Sequence, residues 1–257
     1  MPVPMDPSFG WPEAITALTA VALIAFLVSW SFTDLGHVRR GPYIGVLGIT
    51  VAAASVGYLA WSDTPGRSLV QDRWVLAVAV GAIVGLVMLP AARRLAGGNR
   101  ASGLALARQA VWEGVVYGAA EGILLASLPT LIAWHAADAA GWTSTAWGRI
   151  AAGAVAIGAA LAVILVHHLG YREFRSPGAR TKLVGALAAC GLQAAAFLLT
   201  SNVLAPVVAH VVLHGVMIRR GVEMPPISET ERARPTASPH NAKAGPRSGP
   251  PVSAEAA

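Results

Sequence analysis

The chain has 257 residues, of which 12% are charged and 55% hydrophobic, and its mean hydropathy is +0.58. A water-soluble domain carries about a quarter of its residues as Asp, Glu, Lys or Arg, so this chain lacks the charge to solvate a globule and lipid must be part of its solvent. The net charge of +6 sits in short clusters between apolar runs, not on a continuous basic face. That distribution argues against a nucleic-acid partner and matches the loops of a membrane protein.

The predicted elements are helices throughout. The opening MPVPMDPSFG has no Lys or Arg ahead of the first apolar run. It therefore lacks the basic n-region of a cleaved signal peptide, and the first helix is expected to stay. About seven runs approach the roughly 20 residues needed to cross a bilayer: 12–33, 42–61, 74–91, 109–134, 147–169, 182–200 and 203–218. The last two are separated only by Thr200, Ser201 and Asn202, which predicts a tight helical hairpin, and Pro206 falls near a helix start, where proline is tolerated. From about Gly221 the composition turns to Pro, Ser, Ala, Arg and Glu, a mixture that cannot bury enough surface to offset its ordering entropy. The expected organisation is a three-helix membrane region over 1–104, a four-helix core over 105–220 and a disordered tail over 221–257. Cys190 is the only cysteine, so no intrachain disulfide can form.

The loops set the orientation. Arg39 and Arg40 lie in the first connection, Arg93, Arg94, Arg100 and Arg108 in the third, and Arg172, Arg175, Arg180 and Lys182 in the fifth. Arg219 and Arg220 begin the tail, whereas the intervening connections are nearly neutral. This alternation predicts a polytopic all-α bundle with its N-terminus outside and its C-terminus cytoplasmic. The expected location is the cell membrane, most simply the inner membrane of a bacterium.

An ionisable side chain at membrane depth costs a few kcal/mol, so each one is a functional candidate. The candidates are Glu113 and Glu121 on the fourth helix, His167 and His168 ending the fifth, and His210 and His214 on the seventh. His135 and Arg149 fall near the outer boundary and are expected at the interface. In a regular α-helix Glu113, Tyr117 and Glu121 form one stripe, and His210 and His214 share a face, as two imidazoles serving one ion do. Counting inward at 1.5 Å per residue puts Glu121 about 20 Å from Arg108 and His210 about 14 Å from Arg219. The acid and imidazole sets thus overlap in depth. His167 and His168 point about 100° apart, so at most one faces the site. Gly114, Gly118 and Gly122 follow a small-xxx-small pattern, read as close helix packing. Trp30, Trp61, Trp74 and Trp134 near the run ends are read as interfacial anchors.

These residues resemble the CPBP family (CAAX-protease and bacteriocin-processing, or Abi) of intramembrane metalloproteases. The stretch NVLAPVVAHVVLHG is similar to the family's His-x-x-x-Asn motif, with His210 as its histidine and His214 at the Asn position. ILVHHLGYREF is similar to Phe-x-x-x-His, with Ile164 replacing Phe and His168 as the histidine. The Glu-Glu-x-x-x-Arg motif is degenerate. AEGILLASLP makes Glu121 the retained acid; WEGVVYG would instead use Glu113, with Tyr117 at the Arg position. The resemblance spans roughly residues 105–220. It implies that Glu121 is a general base, that His168 and His210 position a water or a metal, Zn2+ foremost, and that His214 assists the oxyanion. The implied metal ligands are Glu121, His168, His210 and His214. The implied substrate is a hydrophobic or membrane-associated peptide or protein. Other readings of the same residues are a catalytically silent scaffold, a haem- or metal-binding membrane protein, and a transporter or proton relay.

Overall fold

A computed structural model describes residues 9–35, 40–93, 97–98, 100–176 and 179–222. All regular elements among them are helices. Beyond residue 222, the tail expected over 221–257 lies outside the described residues. In chain order the helices are α1 (Trp11–Leu35), α2 (Arg40–Trp61), α3 (Ser68–Gln71), α4 (Trp74–Arg93), α5 (Gly103–Ala139), α6 (Ala146–Leu169), α7 (Ala179–Thr200) and α8 (Leu204–Arg219). Five of them, α1, α2, α5, α6 and α7, are long and apolar enough to cross a membrane. The apolar parts of α4 and α8 are shorter, Trp74–Pro90 and Leu204–Arg219.

Local chemistry accounts for the helix ends. Pro12 occupies the first turn of α1, where its missing N–H costs nothing, and the Glu13 carboxylate accepts from the Gly10 N–H at 2.9 Å. The Thr145 hydroxyl accepts from the Gly148 N–H at 3.0 Å and caps α6. In the α7–α8 hairpin Ser201 adopts a left-handed φ of 56°. Asn202 then bonds to the carbonyls of Val70 and Asp72 at 2.9 and 2.6 Å and accepts from the Leu204 N–H. The hairpin tip is thereby stapled to the connection carrying α3.

Unlike a soluble protein, the bundle is apolar outside as well as inside. Ile15, Leu27, Ile49, Val56, Ile83, Leu86, Ile150 and Leu199 are all exposed, forming an apolar exterior that suits lipid. The interior is also largely apolar but holds buried polar groups such as Glu121, His167, Gln193 and His214, and α5 is the helix at its centre. Of its most apolar stretch 78% is buried, against 17–33% for the other four long helices. Helices α1, α2, α6, α7 and α8 all pack on α5, and α4 lies along α8.

α5 is not a uniform α-helix. Two π-helical segments, Ala110–Val116 and Gly122–Ser127, bracket one α-helical turn, Tyr117–Glu121. Such wide turns are rare and concentrate at functional positions. Pro129 follows the second one and has no N–H for the Leu125 carbonyl four residues back. The Cys190 thiol on α7 donates to that carbonyl at 3.1 Å, a concrete role for the single cysteine.

Candidate functional site

The Glu121 carboxylate is buried in the middle of α5 with three imidazoles around it. His214 Nε2 lies 3.1 Å from Oε2, His210 Nε2 3.8 Å from the same oxygen, and His167 Nε2 3.8 Å from Oε1. The four-residue spacing of His210 and His214 puts both on the face of α8 that meets α5. His167 arrives from the last turn of α6. Glu121, His210 and His214 keep a sliver of exposure, 5–7%, whereas His167 is sealed.

Hydrogen bonds fix the imidazoles. His214 Nδ1 lies 3.0 Å from the Glu113 backbone carbonyl. A carbonyl only accepts, so Nδ1 carries a proton and Nε2 is left to face Glu121. Of the two candidate acids, then, Glu121 stands at the centre and Glu113 contributes its backbone. The Glu113 side chain turns to α2, where Arg40 Nη1 donates to it at 2.8 Å. The π-turn between Glu113 and Tyr117 removes the regular stripe expected for Glu113, Tyr117 and Glu121, so the two carboxylates serve different neighbours.

The adjacent histidines on α6 divide. His168 Nδ1 donates to the Ile164 carbonyl at 2.9 Å and its ring meets Phe174 edge-on at 4.3 Å. It stands back from Glu121, and it is His167 that reaches the carboxylate. His135 is buried inside the bundle, its Nδ1 2.7 Å from the Tyr58 hydroxyl and its ring stacked on that phenol. Arg149 is exposed and donates to the Thr143 carbonyl.

A second polar layer lies behind His167. The Tyr171 hydroxyl is 3.0 Å from His167 Nε2, 2.5 Å from the Tyr43 hydroxyl and 3.0 Å from the Tyr117 hydroxyl. Ser29 Oγ is 3.1 Å from His167 Nδ1. Burial pushes the Tyr171 phenol well above its ordinary value, so it remains a neutral O–H. Sequence reasoning missed Ser29, Tyr43 and Tyr171 because hydroxyls do not stand out in apolar runs as charges do. His167 was visible, but the Phe-x-x-x-His spacing pointed to its neighbour.

Chemically, a carboxylate in this setting needs a compensating positive charge or a proton of its own. A protonated imidazole, a shared proton or a bound cation each satisfies it. The ligand atoms of Glu121, His210 and His214 all lie within 4.8 Å of one another, so this group can hold a metal ion. The donor set, two imidazoles and one carboxylate, is one that catalytic zinc sites use. His214 already has the backbone-carbonyl partner typical of a metal-bound histidine. His210 Nδ1 is buried with no hydrogen-bond partner. No protein-family model, curated protein or solved structure matches the chain.

Proposed function

We propose that the protein is an intramembrane endopeptidase of the CPBP type, acting on a hydrophobic or membrane-associated peptide or protein. In this reading seven helices cross a bacterial inner membrane, with the N-terminus outside and the C-terminus inside. The observation that carries the proposal is the buried Glu121 carboxylate with imidazoles at 3.1, 3.8 and 3.8 Å. Peptide hydrolysis needs a base for water, a donor for the oxyanion and exclusion of bulk solvent, and this cluster supports all three.

Glu121 takes the proton of an attacking water, and the tetrahedral oxyanion accepts a hydrogen bond from a protonated His210 or His214. The proton on Glu121 then passes to the leaving amine. The Glu113 carbonyl holds the His214 Nδ1–H and so aims Nε2 at the reaction centre, where it donates only when it carries a second proton. A zinc ion on Glu121, His210 and His214 would polarise the peptide carbonyl and acidify water. With Glu121 engaged as a ligand, the neighbouring imidazole left to accept a proton is His167.

The test is cleavage of quenched-fluorescent transmembrane and prenylated peptides by the purified protein in nanodiscs, with metal content measured on the same samples. Loss of general-base catalysis in Glu121→Gln lowers kcat by about 10²–10⁴-fold, and His210→Ala loses both cleavage and any stoichiometric zinc. Wild-type cleavage rates in Glu121→Gln would remove that residue from the mechanism. Iron with a Soret band would replace the peptidase with a haem protein.

A further inference from the structure

Ser29, Tyr43, Tyr171 and His167 close a loop of hydrogen bonds. His167 Nδ1 is 3.1 Å from Ser29 Oγ, which is 3.4 Å from the Tyr43 hydroxyl. That hydroxyl is 2.5 Å from Tyr171 Oη, which returns to His167 Nε2 at 3.0 Å. His167, Ser29 and Tyr43 are 0% exposed and Tyr171 1%, so water does not interrupt the circuit. Each hydroxyl donates one bond and accepts up to two, and a neutral imidazole donates at one nitrogen and accepts at the other. The loop is therefore fully satisfied in either sense of rotation.

In one sense Nδ1–H donates to Ser29, Ser29 to Tyr43, Tyr43 to Tyr171, and Tyr171 to Nε2. In the other sense every donor becomes an acceptor. Moving each of the four protons one step converts one state into the other. Every oxygen stays a neutral hydroxyl, His167 stays neutral, and no proton enters or leaves.

We propose that Ser29, Tyr43, Tyr171 and His167 form a closed proton-relay ring through which His167 exchanges tautomers inside the bundle. The ring switches the Nε2 that faces Glu121 between a lone pair and an N–H. The Ala25 carbonyl, 3.3 Å from Nδ1, favours the Nδ1–H state at rest, because a carbonyl only accepts. Tyr117 attaches to Tyr171 from α5. Thr33 Oγ1 lies 2.9 Å from the Ser29 carbonyl and 3.0 Å from the Gly170 carbonyl, tying the Tyr171 loop to α1. Asp34 and Arg175 pair across the same junction.

Under the peptidase reading, on which its catalytic use rests, the ring sets whether Nε2 presents Glu121 with an N–H shared with Tyr171 or with none, its lone pair then being taken by the Tyr171 hydroxyl, without exchange with solvent. Ser29, Tyr43 and Tyr171 are then positioning residues. The experiment is ring-15N histidine spectroscopy of the full-length protein in nanodiscs, with His167→Gln identifying the signal. In wild type the two His167 nitrogens give shifts averaged between the protonated and bare forms. Ser29→Ala and Tyr43→Phe each open the circuit away from Glu121, and each collapses the pair onto a fixed Nδ1–H tautomer. A wild-type His167 that already matches the Ser29→Ala spectrum overturns the ring, as does a doubly protonated one. Where peptides are cleaved, Ser29→Ala lowers kcat with KM unchanged, by about tenfold at the lower end of acid–base effects. A KM change alone counts against the relay. Absence of cleavage in wild type would end the peptidase reading while the nitrogen spectrum still decides the ring.

Discussion

Replacing Gly122 with Ala tests the apposition of α5 and α8 that forms the site. A Cβ at Gly122 would lie 2.9 Å from the Pro206 carbonyl oxygen and 3.0 Å from Val207 Cα, both backbone atoms of α8. Ordinary contact begins near 3.4 Å, so α8 has to retreat by about 0.5 Å. Overpacking of this kind costs about 1–3 kcal/mol, against a helix-propensity gain of up to about 1 kcal/mol for Ala over Gly. At Gly118 the nearest backbone atoms are 3.3 Å away, and at Gly114 the nearest atom is the flexible tip of Ile218 at 3.4 Å. The three alanine variants should therefore rank in stability as Gly114→Ala, then Gly118→Ala, then Gly122→Ala, with about 1–3 kcal/mol between the extremes. Reversible unfolding in bicelles measures the ranking. The same retreat stretches the 3.1 Å Glu121–His214 contact, so under the metallopeptidase reading proposed above Gly122→Ala also weakens any zinc binding in a chelator competition. A Gly122→Ala protein as stable as Gly114→Ala would refute the close approach of the two helices.

Two further outcomes follow from the packing around the site. Arg40→Leu leaves the Glu113 carboxylate without its 2.8 Å partner, both side chains being less than one-fifth exposed. Discounted for that residual exposure, the loss is about 1–3 kcal/mol in the same unfolding assay, and Arg40→Leu/Glu113→Leu recovers most of it. No recovery in the double variant would mean that the pair carries no coupling. Cys190→Ala removes the thiol donor to the Leu125 carbonyl, which lies four residues before Pro129, and costs about 1–2 kcal/mol. Cys190→Ser keeps an O–H there and costs less; equal losses in the two variants would reduce the contact to packing alone.

The membrane helices were legible because lipid selects on a property that a window of sequence contains. Apolar runs placed α1, α2, α6 and α7 to within three residues at each end, while α5 runs six residues earlier and five later than the apolar run 109–134, and the Thr200–Asn202 break marked the α7–α8 turn. Depth counting gave overlapping depths for the acid and imidazole sets, with His214 shallower than Glu121 and His210; their contact comes from the packing of α5 on α8. What it did not contain was angular register on α5. A stripe at i, i+4 and i+8 presumes 3.6 residues per turn, and the π-turns depart from it, sending the Glu113 side chain to Arg40 and Glu121 to the histidines. The choice between His167 and His168 also depended on direction, which spacing alone left open. The hydroxyl circuit was out of reach for a different reason: Ser29 and Tyr43 lie on α1 and α2, more than 120 residues from His167, and only the folded packing closes it.

The π-turns before and after Glu121 tie the site to chain length as well as to residue type. A π-turn holds one residue more than the α-turn it replaces while the flanking turns keep their places. Deleting a single residue between Ala110 and Val116 would relax that segment to an α-turn. Because the flanking turns keep their places, Glu121 would still face α8 after that single deletion. A second deletion would find no wide turn left in this segment to absorb it, and would rotate Glu121 by about 100° away from α8. The stretch before the buried acid can thus lose one residue, but not two, without losing the site.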